Sequence, residues 1–97
     1  MSALAHMTSV TAGHGCWPPT MVTQGSPTVF VGGLPASTMG HMLIPHVCVA
    51  FPFPMHPAMI AAGSGTVMIE GAPAARLGDM ASCGDMIAVG NPTVLVG

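Results

Sequence analysis

The chain has 97 residues and a net charge of −2, with 51% hydrophobic and only 4% charged residues. It has no lysine and a single arginine, Arg76, so neither a basic stripe for nucleic acid nor a polybasic membrane patch is present. Ten prolines and thirteen glycines cut every apolar run far below the roughly 20 residues that a transmembrane helix needs.

A chain of this length predicts one domain over residues 1–97, and such a domain often needs a metal, disulfides or a partner for stability. With so few charges, much of its surface is expected to be covered by a partner. The N-terminus lacks the basic and apolar regions of a secretory signal, so we expect assembly in the cytoplasm. In that reducing compartment, three cysteines favour a metal or buried thiols over a disulfide framework.

The first 20 residues contain two candidate metal ligands, His14 and Cys16, next to Trp17. Taken alone, a histidine in an apolar, loop-rich chain is more often a hydrogen-bonded residue than a ligand. Cys16, like Cys48 further along, is most simply a small buried hydrophobic residue, although either could replace a ligand. Trp17 is most simply expected to pack under the connecting segment.

Three copies of a repeat follow, and they superpose without gaps. The shared pattern is Met-(Val/Ile)-x-x-Gly-(Ser/Asn)-x-Thr-Val-x-(Val/Ile)-x-Gly, and the last copy ends one residue early. The copies span residues 21–33, 59–71 and 86–97.

Each copy predicts two short strands around a turn. Gly followed by Ser or Asn, then Pro or Gly, is turn chemistry in which we expect glycine to supply a positive φ. The β-branched, alternating segment after it is typical of a half-buried strand. Between copies one and two, the apolar and proline-rich residues 40–58 indicate an ordered excursion and not a flexible linker. Three similar units in one chain predict pseudo-threefold symmetry, which suits a monomer that caps a trimer.

All five histidines and all three cysteines lie outside the copies, in the segments that connect them. If those segments converge, one end of the molecule would hold a cluster of imidazoles and thiols, which are ligands that zinc prefers. The local spacings match neither a zinc finger nor an HExxH site.

A literal Pro-Ala-Ala-Arg occurs at residues 73–76, within 71–79. Together with the repeat and the Gly-His, Pro-His and Ser-Cys-Gly landmarks, it makes the chain resemble the PAAR-repeat family over essentially its full length. The resemblance implies an all-β, partly irregular fold: a small pseudo-threefold cone of short strands with a metal site at the apex. Within the family, the chain is most similar to the tail-needle tips of contractile-tail phages.

The resemblance also implies a ligand set for one structural Zn²⁺, with iron as the alternative metal. These ligands are His14, His46, His56 and Cys83. The chain departs from the family pattern at Thr38, where copy one lacks the arginine, and at His6 and His41, where the family often has aspartate. Arg76 and Asp79 are expected to form the one remaining ion pair between an arginine and an aspartate of this pattern.

The implied function is a structural tip on a trimeric β-helical spike, with one copy per trimer and no catalytic activity. Its expected location is the tip of a phage tail spike in the virion, and the alternative is a bacterial type VI secretion spike. A zinc hydrolase is a further alternative, for which Asp85 is the only carboxylate next to a proposed ligand. A metal-buffering or redox protein with three reactive thiols is another. No nucleic acid or small-molecule substrate is expected.

Overall fold

The computed structural model describes residues 1–48, 52 and 54–97, and all regular structure in this part of the chain is β. Within those residues there is no helix, and hence none long and apolar enough to cross a membrane. The strands pair as four two-stranded antiparallel sheets. Their bounds are β1 (Ser2–Leu4), β2 (Phe30–Val31), β3 (Leu34–Pro35), β4 (Met42–Val47), β5 (Met55–Met59), β6 (Met68–Ile69), β7 (Ala72–Pro73) and β8 (Asn91–Val96).

Three of the sheets are equivalent strand pairs, one from each copy of the repeat. In copies one and two, β2 turns back into β3 and β6 into β7. In copy three, β8 pairs with the N-terminal strand β1. The register is the same in all three pairs, which match Phe30 with Pro35, Met68 with Pro73, and Leu95 with Ala3. The N-terminus therefore completes the third unit.

A closed ring of three backbone hydrogen bonds joins the units. The N–H of Ala5 donates to the carbonyl of Ala75 (2.9 Å), that of Ala75 to Ser37 (2.9 Å), and that of Ser37 to Ala5 (3.0 Å). All three residues are fully buried. Since each residue donates to one neighbour and accepts from the other, the ring confirms the predicted pseudo-threefold symmetry at the level of individual atoms.

The core consists of two clusters, and the same threefold arrangement runs through both. The first, which we call the strand-pair layer, is built on the three equivalent sheets and contains Leu4, Val31, Ala36, Ile69, Ala74 and Val96. The second contains Ala5, Val22, Leu43, Ala58, Ile60, Ala75, Ala81 and Ile87, and the side chain of Cys83 packs against it. Small and β-branched side chains fill equivalent positions because three similar backbones meet there.

The glycine in the turn of each copy has a different role from the predicted one. These glycines do not have a positive φ; they allow a close approach of the second strand of each pair, which in copy three is the N-terminal strand. A Cβ atom on Gly25 would lie 2.8 Å from the carbonyl oxygen of Pro35. Gly63 and Gly90 are equally close to the chain beside them. Positive φ occurs at the second turn instead, as at Gly33 and Gly71.

The strands within the copies differ from the predicted ones in length. The first half of each copy forms isolated bridges, such as the one between Val22 and Leu43, while β8 runs through the predicted turn at residues 91–92 with an irregular register. The excursion over residues 40–58 contains the hairpin β4–β5, as expected for an ordered segment. Residues 49–51 and 53 of that prediction lie outside the described residues.

Candidate metal centre

The structure brings together the four side chains that the resemblance implied as ligands. One potential donor atom from each of them lies within 4.8 Å of the others. His46 is buried and the other three are half-buried. The group consists of His14, His46, His56 and Cys83, and we call this end of the molecule the metal end.

Local backbone structure accounts for the position of each side chain. His46 on β4 and His56 on β5 are direct cross-strand partners. His14 begins a tight turn in which it exchanges two backbone hydrogen bonds with Trp17, at 2.8 and 3.0 Å. Cys83 lies in a turn where the N–H of Gly84 donates to Ala81 (3.0 Å), and Gly84 has a φ of 96°. Three separate connecting segments therefore converge on one point.

Two of the three nitrogen–nitrogen distances fit a tetrahedral metal ion, and the His46–His56 pair is closer than two ligands of one ion would be. The Nε2 atom of His14 is 3.3 Å from the Nε2 atoms of both His46 and His56, which are 2.5 Å apart. The Sγ atom of Cys83 is 3.9 Å from Nε2 of His46. Two nitrogen ligands bound to zinc at about 2.05 Å in a tetrahedron would lie about 3.3 Å apart. Four donors fill a tetrahedron, so the cluster could hold one metal ion as a closed site.

Neighbouring groups fix the imidazole rings in the orientation that ligation needs. The Nδ1–H of His46 donates to the carbonyl of Pro18 (2.8 Å), and this leaves the lone pair on Nε2 facing the cluster. Trp17 stacks on the rings of His14 and His56, with centroids 5.1 and 4.6 Å apart. The tryptophan therefore packs directly against two candidate ligands.

The electrostatic surroundings favour neutral imidazole at His56. Burial lowers its pKa, the neighbouring His46 and His14 lower it further, and the carboxylate of Asp85 acts in the opposite direction. Because a metal binds imidazole through an unprotonated nitrogen, a lowered pKa keeps His56 ready for ligation at more acidic pH.

The prediction of free thiols at Cys16 and Cys48 is wrong, because the two form a disulfide. Each cysteine lies two residues after a candidate ligand, Cys16 after His14 and Cys48 after His46, so the bond ties two of the converging segments together. Neither can then replace a ligand. Cys83 is the free cysteine of the chain, which removes the basis for a redox protein with three equivalent thiols. The matched spacing from the two histidines was the sequence signal for this pairing.

The remaining histidines lie away from the cluster. The Nδ1 atom of His41 accepts the N–H of Thr38 (3.0 Å), just as the carboxylate of Asp79 accepts the N–H of Arg76 (2.7 Å). His41 therefore occupies the position of aspartate, as expected. His6 does not, because its N–H is the donor in the equivalent bond to the Oγ atom of Ser9 (3.0 Å). The expected ion pair between Arg76 and Asp79 is present, at 2.8 Å.

Comparison with known proteins identifies the family. No curated protein matches the chain. The profile of the PAAR motif family, however, matches residues 12–89, which is more than half of the chain and includes all four side chains of the cluster. The chain belongs to the PAAR motif family.

Proposed function

We propose that this protein is the structural tip of a cell-puncturing spike, docked as a single copy on the end of a trimeric β-helix. Proteins with the PAAR motif are associated with spike tips that sharpen a spike for puncturing. The observation that carries the proposal for this chain is the ring of three backbone hydrogen bonds among Ala5, Ser37 and Ala75. A monomer with this internal symmetry presents three similar faces to a trimeric partner.

The strand-pair layer supplies the docking surface. Its three sheets are only two strands wide, and their free edges can extend the strands of a β-helix. The same register position in each sheet carries a large apolar side chain that is more than half exposed: Phe30 (57%), Met68 (56%) and Leu95 (51%). Three equivalent exposed apolar residues in a chain with so little charge indicate contact with a partner.

The metal end holds the point of the tip together. We assign Zn²⁺ to the cluster because three imidazoles and one thiolate form a tetrahedral donor set typical of structural zinc. Zinc bound there would cross-link the β4–β5 hairpin to the two turns that carry His14 and Cys83. All four positions belong to protein ligands, so the role we propose is structural and not catalytic.

Of the two possible settings, we propose the tail of a contractile phage, with a type VI secretion spike as the alternative. In either setting, a rigid point concentrates the force of contraction on a small area of the target envelope. The low charge of the chain favours the phage setting.

Docking can be tested by co-purification with the trimeric β-helical spike encoded in the same genome. Met68→Glu places a charge in the proposed docking surface and should abolish co-purification. Met80→Glu makes the same change at a methionine that is 41% exposed outside the strand-pair sheets, and it should have no effect. Co-purification that both variants retain, or that both lose to the same extent, would contradict docking through this layer.

A further inference from the structure

Asp85 is a buried carboxylate at the metal end that is not one of the four clustered side chains. It is 1% exposed. One of its oxygens accepts the N–H of Gly13 (2.9 Å) and the N–H of Met86 (2.8 Å). The other oxygen is buried and has no hydrogen-bond partner in the described part of the chain. Asp85 lies two residues after Cys83 in the chain, and its negative charge acts to raise the pKa of His56, which burial lowers.

Neither a lysine nor an arginine is free to neutralise this carboxylate. The chain has no lysine, and its single arginine, Arg76, is paired with Asp79. A buried carboxylate without a countercharge is strongly unfavourable, and buried charges in proteins are normally paired or close to a metal. The position of Asp85 therefore calls for a positive charge, which the four clustered side chains do not provide while their imidazoles are neutral.

A metal ion in the cluster would supply that charge. Zn²⁺ with three neutral imidazoles and one thiolate has a net charge of +1, and the carboxylate of Asp85 brings the total to zero. The hydrogen bond from Gly13 adds a second link, because Gly13 directly precedes His14 in the chain.

We propose that Asp85 is a positioning residue of the metal centre, whose carboxylate neutralises the bound metal and holds the main chain next to His14. This inference rests on the metal centre proposed above. The carboxylate acts from outside the tetrahedron and stabilises the metal-bound state more than the metal-free state, because only the former contains its countercharge. Groups around the ligands of a metal commonly contribute 10–100-fold to metal affinity.

The test is Asp85→Asn in the full chain, with Co²⁺ and Zn²⁺ as the probes. Asparagine keeps the size of the side chain and an oxygen that can accept the N–H groups of Gly13 and Met86, but it removes the charge. Co²⁺ affinity is measured from the absorption bands of tetrahedral cobalt and Zn²⁺ affinity by competition. The expected result is a dissociation constant about 10–100-fold higher than wild type. The melting temperature of the metal-free variant should equal or exceed that of the metal-free wild type, because an unpaired buried charge is gone.

Asp79→Asn is the matched control. Asp79 is also a buried carboxylate that accepts a backbone hydrogen bond, but its charge is paired with Arg76. This variant should have a lower melting temperature with and without metal, and an unchanged metal affinity.

Three outcomes would overturn the inference: wild-type metal affinity in Asp85→Asn, an equal loss of affinity in Asp79→Asn, or a lower melting temperature of metal-free Asp85→Asn. If the wild type is itself unfolded without metal, the Zn²⁺ concentration at which half of the chains are folded replaces the metal affinity and the melting temperature as the measured quantity. An unchanged concentration in Asp85→Asn would then overturn the inference. Failure of the wild type to bind either metal would instead refute the metal centre itself.

Discussion

The strand-pair layer and the metal end are stabilised in different ways. In the strand-pair layer, three copies of one sequence pattern place small and β-branched side chains at equivalent positions, and strand pairing satisfies the backbone groups. The metal end has no repeated pattern. The β4–β5 hairpin and two turns shape its segments, and side chains join these segments to one another: the four clustered donors, the disulfide between Cys16 and Cys48, and the stacked Trp17.

The difference indicates how a chain of 97 residues can form a rigid point. A threefold body needs no long-range covalent link, because each unit closes on the next through the backbone. The metal end has too few residues to form a large hydrophobic core of its own. Cross-links between its segments therefore supply stability that packing supplies elsewhere. The two regions should therefore respond differently to substitution, chelation and reduction.

The largest effect is expected from loss of a metal ligand. His46→Ala should abolish binding of Zn²⁺ and lower the melting temperature by about 16–32 °C, since a metal present at a thousandfold its dissociation constant stabilises by about 4 kcal/mol. Zinc content by elemental analysis and thermal unfolding measure both effects. His41→Ala, at a histidine outside the cluster, should keep its zinc; a zinc-free His41 variant, or a zinc-loaded His46 variant, would refute the assignment of ligands.

The disulfide should have the next largest effect. Replacing Cys16 and Cys48 together by serine should lower the free energy of unfolding by about 3–4 kcal/mol, because the bond closes a loop between residues 32 positions apart and so restricts the unfolded chain. Denaturant unfolding measures the loss. Alkylation of the unfolded wild type without reductant should modify Cys83 alone, and modification of three thiols would show that the bond is absent.

A smaller effect is expected in the strand-pair layer from Gly63→Ala. The new Cβ would lie 3.0 Å from the carbonyl oxygen of Pro73, so the backbone must shift, at a cost of about 1–3 kcal/mol. Gly65 provides the control, because a Cβ there would have no atom within 4 Å and Gly65→Ala should be neutral or slightly stabilising. Denaturant unfolding should rank Gly63→Ala below Gly65→Ala, with unchanged zinc content in both; equal stabilities would contradict the close approach.

The smallest effect is a pH dependence from His41. Burial lowers the pKa of this histidine, and the Glu70 carboxylate acts in the opposite direction. His41 then binds a proton less readily in the folded chain than in the unfolded chain. The contribution of His41 to stability is therefore complete above about pH 6.5 and falls as the pH drops below that value. Protonation would also remove the acceptor of the Thr38 N–H. His41→Ser keeps an acceptor that does not titrate, and its stability should fall less than that of wild type between pH 6.5 and 5. Identical pH profiles in urea unfolding would contradict this account.

Much of the strand-pair layer could be predicted from the sequence, because a threefold repeat determines equivalent positions directly. The partner of β8 could not, since Ser2–Leu4 is too short and too generic to be recognised as the missing half of copy three. The role of Gly25 was also missed, because composition shows that a turn needs glycine but not whether φ or close packing demands it.

At the metal end, family resemblance identified all four clustered side chains, whereas spacing alone did not. The sequence does not predict the disulfide, because three cysteines in a reducing compartment favour free thiols, although Cys16 and Cys48 each lie two residues after a histidine. Asp85 was considered only as a possible catalytic base. Its burial and its unpartnered oxygen are properties of three-dimensional packing that no local pattern reveals.

The most direct test of the central claim is native mass spectrometry of this chain co-expressed with the trimeric β-helical spike of the same genome. The account predicts one complex whose mass equals three spike chains, one copy of this chain and one zinc ion. A complex with three copies of this chain per trimer, or a free metal-loaded monomer beside an uncapped spike, would contradict it.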